Sequence, residues 1–137
     1  MINLSLQYAH QDGTAEERGT ASLQQALDAF RAFPWDEQLH QANELQICAP
    51  TLFLKKSDGA SVFFVSIMEG EKLDFMLYLE TTEEVERWGL FGKRKRKKAV
   101  IYDSIGHARQ GVEEAIRAYY ADDKKRLRAI IQARNCA

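Results

Sequence analysis

At the start of the chain Ile2, Leu4, Leu6 and Tyr8 alternate with Asn3, Ser5 and Gln7. A period of two puts the apolar residues on one face of a strand. The alternation stops in residues 10–21, which are polar, carry Gly13 and Gly19, and read as a connecting loop. Ser22 with Gln25 three positions on forms a capping box, in which hydroxyl and amide each satisfy an orphan N–H. Leu23, Ala26, Leu27, Phe30 and Phe33 then recur at helical spacing. Pro34 disfavours helical geometry at Phe33 and ends that helix, and residues 35–39 offer a further turn of helix.

Two apolar runs, 51–56 and 61–67, flank Ser57-Asp58-Gly59-Ala60. Asp-Gly between such runs signals a hairpin, because Gly takes positive φ cheaply. Residues 68–72 make a second turn, after which Leu73, Phe75, Leu77 and Leu79 alternate with Asp74, Met76, Tyr78 and Glu80. The pattern predicts an antiparallel meander with one face on a core, packed against Leu23, Leu27 and Phe30.

The later signals are less regular. Residues 81–87 read as the start of a short helix, 88–92 as an aromatic-bearing turn and 99–102 as a short strand. Ser104 is placed to cap a helix with Ile105, Ala108, Val112, Ile116 and Tyr119 on one stripe, weakened by Gly106 and Gly111. That reading sets His107 in the first turn, on the surface. Asp122 or Asp123 caps a last helix bearing Leu127, Ile130 and Ile131, with Lys124, Lys125, Arg126, Arg128 and Arg134 in water. The expected order is β-α-βββ-β-α-α: one α+β domain over residues 1–137, with an antiparallel sheet of about four to five strands and helices packed on one face.

Composition adds bounds. A chain of 137 residues with 45% apolar and 28% charged residues is of single-domain size and needs no disulfide or metal to fold. Cys48 and Cys136 lie far apart and form no CxxC pair, which argues against zinc and redox sites. Cys48 is expected as a buried thiol. The N-terminus lacks a basic region and a long apolar stretch, so a reducing, cytoplasmic setting is expected, with no membrane span.

The net charge of −1 hides a separation. Residues 93–98, Lys-Arg-Lys-Arg-Lys-Lys, carry +6, and the remainder −7. Glu69, Glu71, Asp74, Glu80, Glu83, Glu84 and Glu86, against Lys72 and Arg87, leave −5 in one short stretch. The basic run offers phosphate contacts through Lys93, Arg94, Lys95 and Arg96. No aromatic interleaves it, and an acidic remainder repels a polyanion. A solvated tight turn is therefore the preferred reading of the run, and nucleic acid is a disfavoured partner.

Candidate chemistry is sparse. His10, His40 and His107 have no ligand spacing, and His10 beside Asp12 reads as a loop residue. GxSxG, GxxxxGK[ST] and GxGxxG are absent. No catalytic, metal or cofactor residues are assigned. The expected site is a protein interface: Glu69, Glu71, Glu80, Glu83, Glu84 and Glu86 steer a basic partner, and Tyr78 and Trp88 anchor it. Trp35 and Phe91 also lie near turns, as satellite core or anchors.

Ala26-Leu27-Asp28-Ala29-Phe30 leading to Phe33-Pro34-Trp35, Pro50-Thr51-Leu52-Phe53-Leu54 with its Asp58-Gly59 turn, and residues 100–104 running into the helix of Ala108, Ala115, Ile116 and Tyr119 make a layout. It resembles that of small cytoplasmic immunity proteins of bacterial polymorphic-toxin systems. The resemblance implies a non-enzymatic protein that blocks a cognate toxin by binding it. It assigns no contact residues, because such proteins vary most at their interfaces. The alternative is a nucleic-acid-associated regulator using residues 93–98.

Overall fold

The computed structural model describes residues 1–9, 15–45, 50–57, 59, 61–68, 74–89 and 92–133. In chain order these form β1 (Ile2–Gln7), β2 (Ala15–Thr20), α1 (Leu23–Ala32), α2 (Trp35–Leu45), β3 (Thr51–Lys56), β4 (Ser61–Met68), β5 (Asp74–Gly89), β6 (Gly92–His107), α3 (Arg109–Tyr120) and α4 (Lys124–Gln132). The strands form one antiparallel sheet in the order β2-β1-β3-β4-β5-β6.

Alternation along each central strand sets what is buried. Leu4 and Leu6, Leu52 and Leu54, Phe63, Val65 and Ile67, and Phe75, Leu77 and Leu79 lie on one face. Ala26, Leu27 and Phe30 of α1, Trp35 of α2, Val112 and Ile116 of α3, and Leu127 and Ile131 of α4 close the same cluster. The helices thus pack on one face, as expected, and the three described members of the 73/75/77/79 set are buried against Leu27 and Phe30. Leu73 lies outside the described residues.

Local signals place the helix ends. The Ser22 capping box is formed in both directions, with Gln25 N–H to Ser22 Oγ at 3.2 Å and Ser22 N–H to Gln25 Oε1 at 2.8 Å. Asp123 caps α4 through Arg126 N–H at 3.1 Å. Trp35 is core, with its indole N–H donating to the Phe30 carbonyl at 3.0 Å.

Four expectations need correction. The sheet has six strands among the described residues, because 15–20 of the expected loop is the edge strand β2. Arg18 is the extra residue of a bulge between Leu4↔Gly19 and Ser5↔Glu17, and Gly19 takes the φ of +72° there. Residues 81–87 are strand, not helix, because each pairs with β6. The run 93–98 is no tight turn; it is half of a ladder with β5. Ser104 caps nothing: β6 continues to His107, Gly106 takes a φ of +89°, and α3 starts at Arg109 behind Ala108. His107 is accordingly buried, at 8% exposure, instead of lying on a helix surface.

Candidate functional site

The sheet face turned away from the helices carries its own apolar row. Register aligns Ser5, Phe53, Phe64, Tyr78 and Asp103 across β1, β3, β4, β5 and β6. The rings of Phe53 and Phe64 are 5.6 Å apart, and those of Phe64 and Tyr78 stack at 4.4 Å. All three side chains are half-buried. Val62 and Met76 flank them on the same face, and Ile101 and Ile105 of β6 stand 55% and 49% exposed. Single exposed apolar residues are common; a contiguous apolar row with open edges is the feature that marks an interface.

The electrostatics of this face are acidic. Among the described residues of the six-stranded part of the sheet, Asp74, Glu80 and Asp103 are exposed on it, with Lys55 as an exposed cation. Burial, followed by the carboxylates of Glu80 and Asp103, holds the Tyr78 hydroxyl above its ordinary range, so it stays a neutral donor at physiological pH.

β5 and β6 run on together past the sheet. β4 leaves β5 at Ser61↔Thr81, and among the described residues 82–89 pair with 92–99 alone. Eight residues per strand give a two-stranded ribbon about 27 Å long at ~3.4 Å per residue. The basic run and the last three carboxylates of the acidic stretch, separate features in the sequence, are paired in register across this ribbon: Glu83↔Lys98, Glu84↔Lys97, Val85↔Arg96, Glu86↔Lys95, Arg87↔Arg94 and Trp88↔Lys93. Three carboxylates against seven cations give it +4, leaving −5 elsewhere.

The expected interface residues fall into three groups. Tyr78 and Glu80 lie on the face of β5 that carries the aromatic row, and Glu84, Glu86 and Trp88 are backbone register positions further along the same strand. Glu83 is on the helix face, where Tyr102 Oη donates to its Oε1 at 2.8 Å and Arg128 Nη2 at 2.5 Å. Burial, then the Glu83 bond, raises the Tyr102 hydroxyl. The Arg128 guanidinium also lies 4.9 Å from the centre of the Tyr102 ring. Glu69 and Glu71, like His10, Cys48, Phe91, Arg134 and Cys136, lie outside the described residues. Phe53, Phe64, Ile101 and Ile105 are the additions that sequence reasoning missed. The signal was present in part: Phe53 between Leu52 and Leu54, and Val62 and Phe64 beside Phe63 and Val65, put large apolar residues on both phases, where a sheet covered on one side needs only one.

A buried Ser–His pair tests the case for catalysis. Ser104 Oγ is 2.5 Å from His107 Nε2 and donates to the Ile131 carbonyl, also at 2.5 Å. The hydroxyl has one proton, so Nε2 is the donor to Oγ and cannot act as its base. Both residues are at most 8% exposed, and the pair fastens α4 to β6. Among the described residues no three His, Cys, Asp or Glu side chains converge as metal ligands, and no helix is long and apolar enough to cross a membrane. No protein-family model, curated protein or solved structure matches the chain.

Proposed function

We propose that this chain is a non-enzymatic protein-binding domain that neutralises a cognate toxin by covering part of its surface, with the open sheet face as the docking site. The reading is supported above all by the half-buried Phe53–Phe64–Tyr78 row, an apolar strip on the sheet face opposite the core cluster in which the described helices pack. An aromatic centre excludes water and supplies dissociation-limiting contacts, while flanking charge sets encounter rate and specificity. Glu80 and Asp103 beside Tyr78 suit a partner whose apolar contact is ringed by Lys or Arg. A small cytoplasmic immunity protein, the family the sequence layout resembles, acts in this way.

The test is co-expression of the chain with the protein encoded beside its gene, scored by growth and by purification of a complex. The wild type restores growth and co-purifies. Phe64→Glu, which puts a charge in the middle of the row without touching the helix side, abolishes both while the chain stays folded by circular dichroism. A Phe64→Glu chain that still protects, or a neighbouring product that is neither toxic nor bound, overturns the reading.

A further inference from the structure

The sheet ends in two edges that differ in how they meet water. At one edge β2 carries Glu16, Glu17 and Arg18, all exposed, and the bulge at Arg18 breaks its line. Charge and a bulge keep an edge strand from pairing with another chain. At the other edge, among the described residues, β6 pairs with β5 alone. Its line is unbroken through Ser104, because its register shift falls between Ser104 and His107. The middle of that edge, Ala99-Val100-Ile101-Tyr102, holds no charge and no proline, and Ala99 and Ile101 are exposed. An unguarded edge of this kind presents a row of unpaired N–H and C=O groups to another strand.

Charge at the two ends of the stretch selects that strand. Lys97 and Asp103 are both exposed and stand on either side of Val100 at equal spacing, so alternation puts them on the same side of the sheet. An antiparallel copy of β6 centred on Val100 therefore sets Lys97 of each chain opposite Asp103 of the other. The same register sets Ala99 against Ile101, Lys98 against Tyr102, and Val100 against itself. Opposite charges directly across a ladder stabilise it, and like charges destabilise it. A dyad at residue 101, 102 or 103 would place Asp103 against Ala99, Ile101 or its own copy, and a dyad at residue 99 would place Lys97 and Lys98 against Ile101 and Val100. Within one chain Lys97 is in register with Glu84, and Asp103 with Tyr78. Across the join the row thus reads Glu84, Lys97, Asp103, Tyr78, with the cation between two carboxylates. On the helix side Arg128 lies over the Tyr102 ring and is paired with Glu83, so its charge is already met.

We infer that two copies of this chain join edge to edge through β6, about a dyad at Val100, into one continuous antiparallel sheet. The contact is isologous, with the same patch used on both chains. Residues 97–103 of the two strands exchange about six to eight backbone hydrogen bonds. The guarded β2 edges then lie at both ends of the joined sheet, so assembly stops at two. The dyad is perpendicular to the sheet, so both Phe53–Phe64–Tyr78 rows face the same way and the open face is doubled.

The test is sedimentation velocity at about 2 to 200 µM chain, over which the wild type is expected to move from monomer toward twice the chain mass and no further. Asp103→Lys sets cation against cation at both ends of the ladder, and Lys97→Asp sets carboxylate against carboxylate. Each is expected to weaken the dimer at least tenfold. Mixed one to one, the two variants regain both opposite-charge pairs as a heterodimer and are expected to associate within about threefold of the wild type. That recovery also shows that each variant is folded, as circular dichroism checks directly. Glu17→Lys on the β2 edge is expected to leave the dimer unchanged. A chain that stays monomeric at about 200 µM, a dimer indifferent to both charge reversals, or two variants that fail to recover each other overturns the inference. Masses that climb past the dimer mean that β6 adds to β2 head to tail, which overturns the closed dyad. Loss of the dimer in Phe64→Glu, which changes the open face and leaves the edge intact, places the contact on the aromatic row and overturns the edge pairing.

Discussion

Phe63 and Phe64 are adjacent, chemically identical and placed on opposite faces of β4, so truncating each in turn tests the orientation of the whole sheet. Phe63 is fully buried, pairs with Leu54 and Leu79 in register, and stacks on Tyr119 at 5.4 Å. Phe63→Ala loses the transfer of a whole ring and leaves a cavity in a packed core, a cost of about 4 kcal/mol. For a chain of this size that lowers the melting temperature by about 12–20 °C. Phe64 is half-buried and packs its ring against those of Phe53 and Tyr78. Its truncation forfeits part of the transfer term and two ring contacts, and leaves a dent that water fills, so about 1–1.5 kcal/mol is expected. Urea unfolding followed by far-ultraviolet circular dichroism gives both values, with unchanged m confirming that the unfolding reaction is the same. Equal costs would mean that the aromatic row is covered and is no docking face. A reversed order would mean a one-residue slip of β4, which exchanges the two faces.

Ser22→Ala removes the hydroxyl half of the capping box and is expected to cost about 1 kcal/mol in the same unfolding assay. Tyr120 responds to alkali: burial, then the neighbouring Tyr119, raises its hydroxyl from an ordinary value of 10.0 to about 12, and that hydroxyl donates to the Ala21 carbonyl at 3.0 Å. A raised pKa means that the folded state holds the proton more tightly, so the stability it contributes is complete below pH ~10 and is lost as pH rises toward ~12. Tyr120→Phe should flatten that alkaline decline measured between pH 9 and 12; an unchanged decline assigns it to other groups.

Signals that act within a few residues were readable, and those that depend on a partner strand were not. The 75/77/79 alternation, the Ser22 box and the Asp123 cap each rest on local chemistry, and the fold preserves them. β2 was invisible because Glu16, Glu17 and Arg18 form an edge strand with no buried face, hence no apolar period. The ribbon was invisible for the same reason: among the described residues 82–89 and 92–99 pair with each other and with no third strand, so their sequence carries charged residues where a covered strand carries hydrophobic alternation. Ser104 misled in a different way. A good capping residue stands before Ile105, Ala108 and Val112 at helical spacing, but pairing with Leu77 and the positive φ of Gly106 extend β6 through that stretch. The interface expectation had Tyr78 and Glu80 on the open face but missed Phe53 and Phe64, whose alignment beside Tyr78 exists only once three strands are in register.

The docking face is tested most directly by nuclear magnetic resonance, titrating the neighbouring gene product into the isotope-labelled chain. Binding through the open face predicts that shift changes and line broadening concentrate at Phe53, Val62, Phe64, Met76, Tyr78, Ile101 and Asp103, while Gln24, Asp28 and Glu114 on the helix layer stay unmoved. Perturbations centred on the helix layer, with the Phe53–Phe64–Tyr78 row silent, would contradict the account.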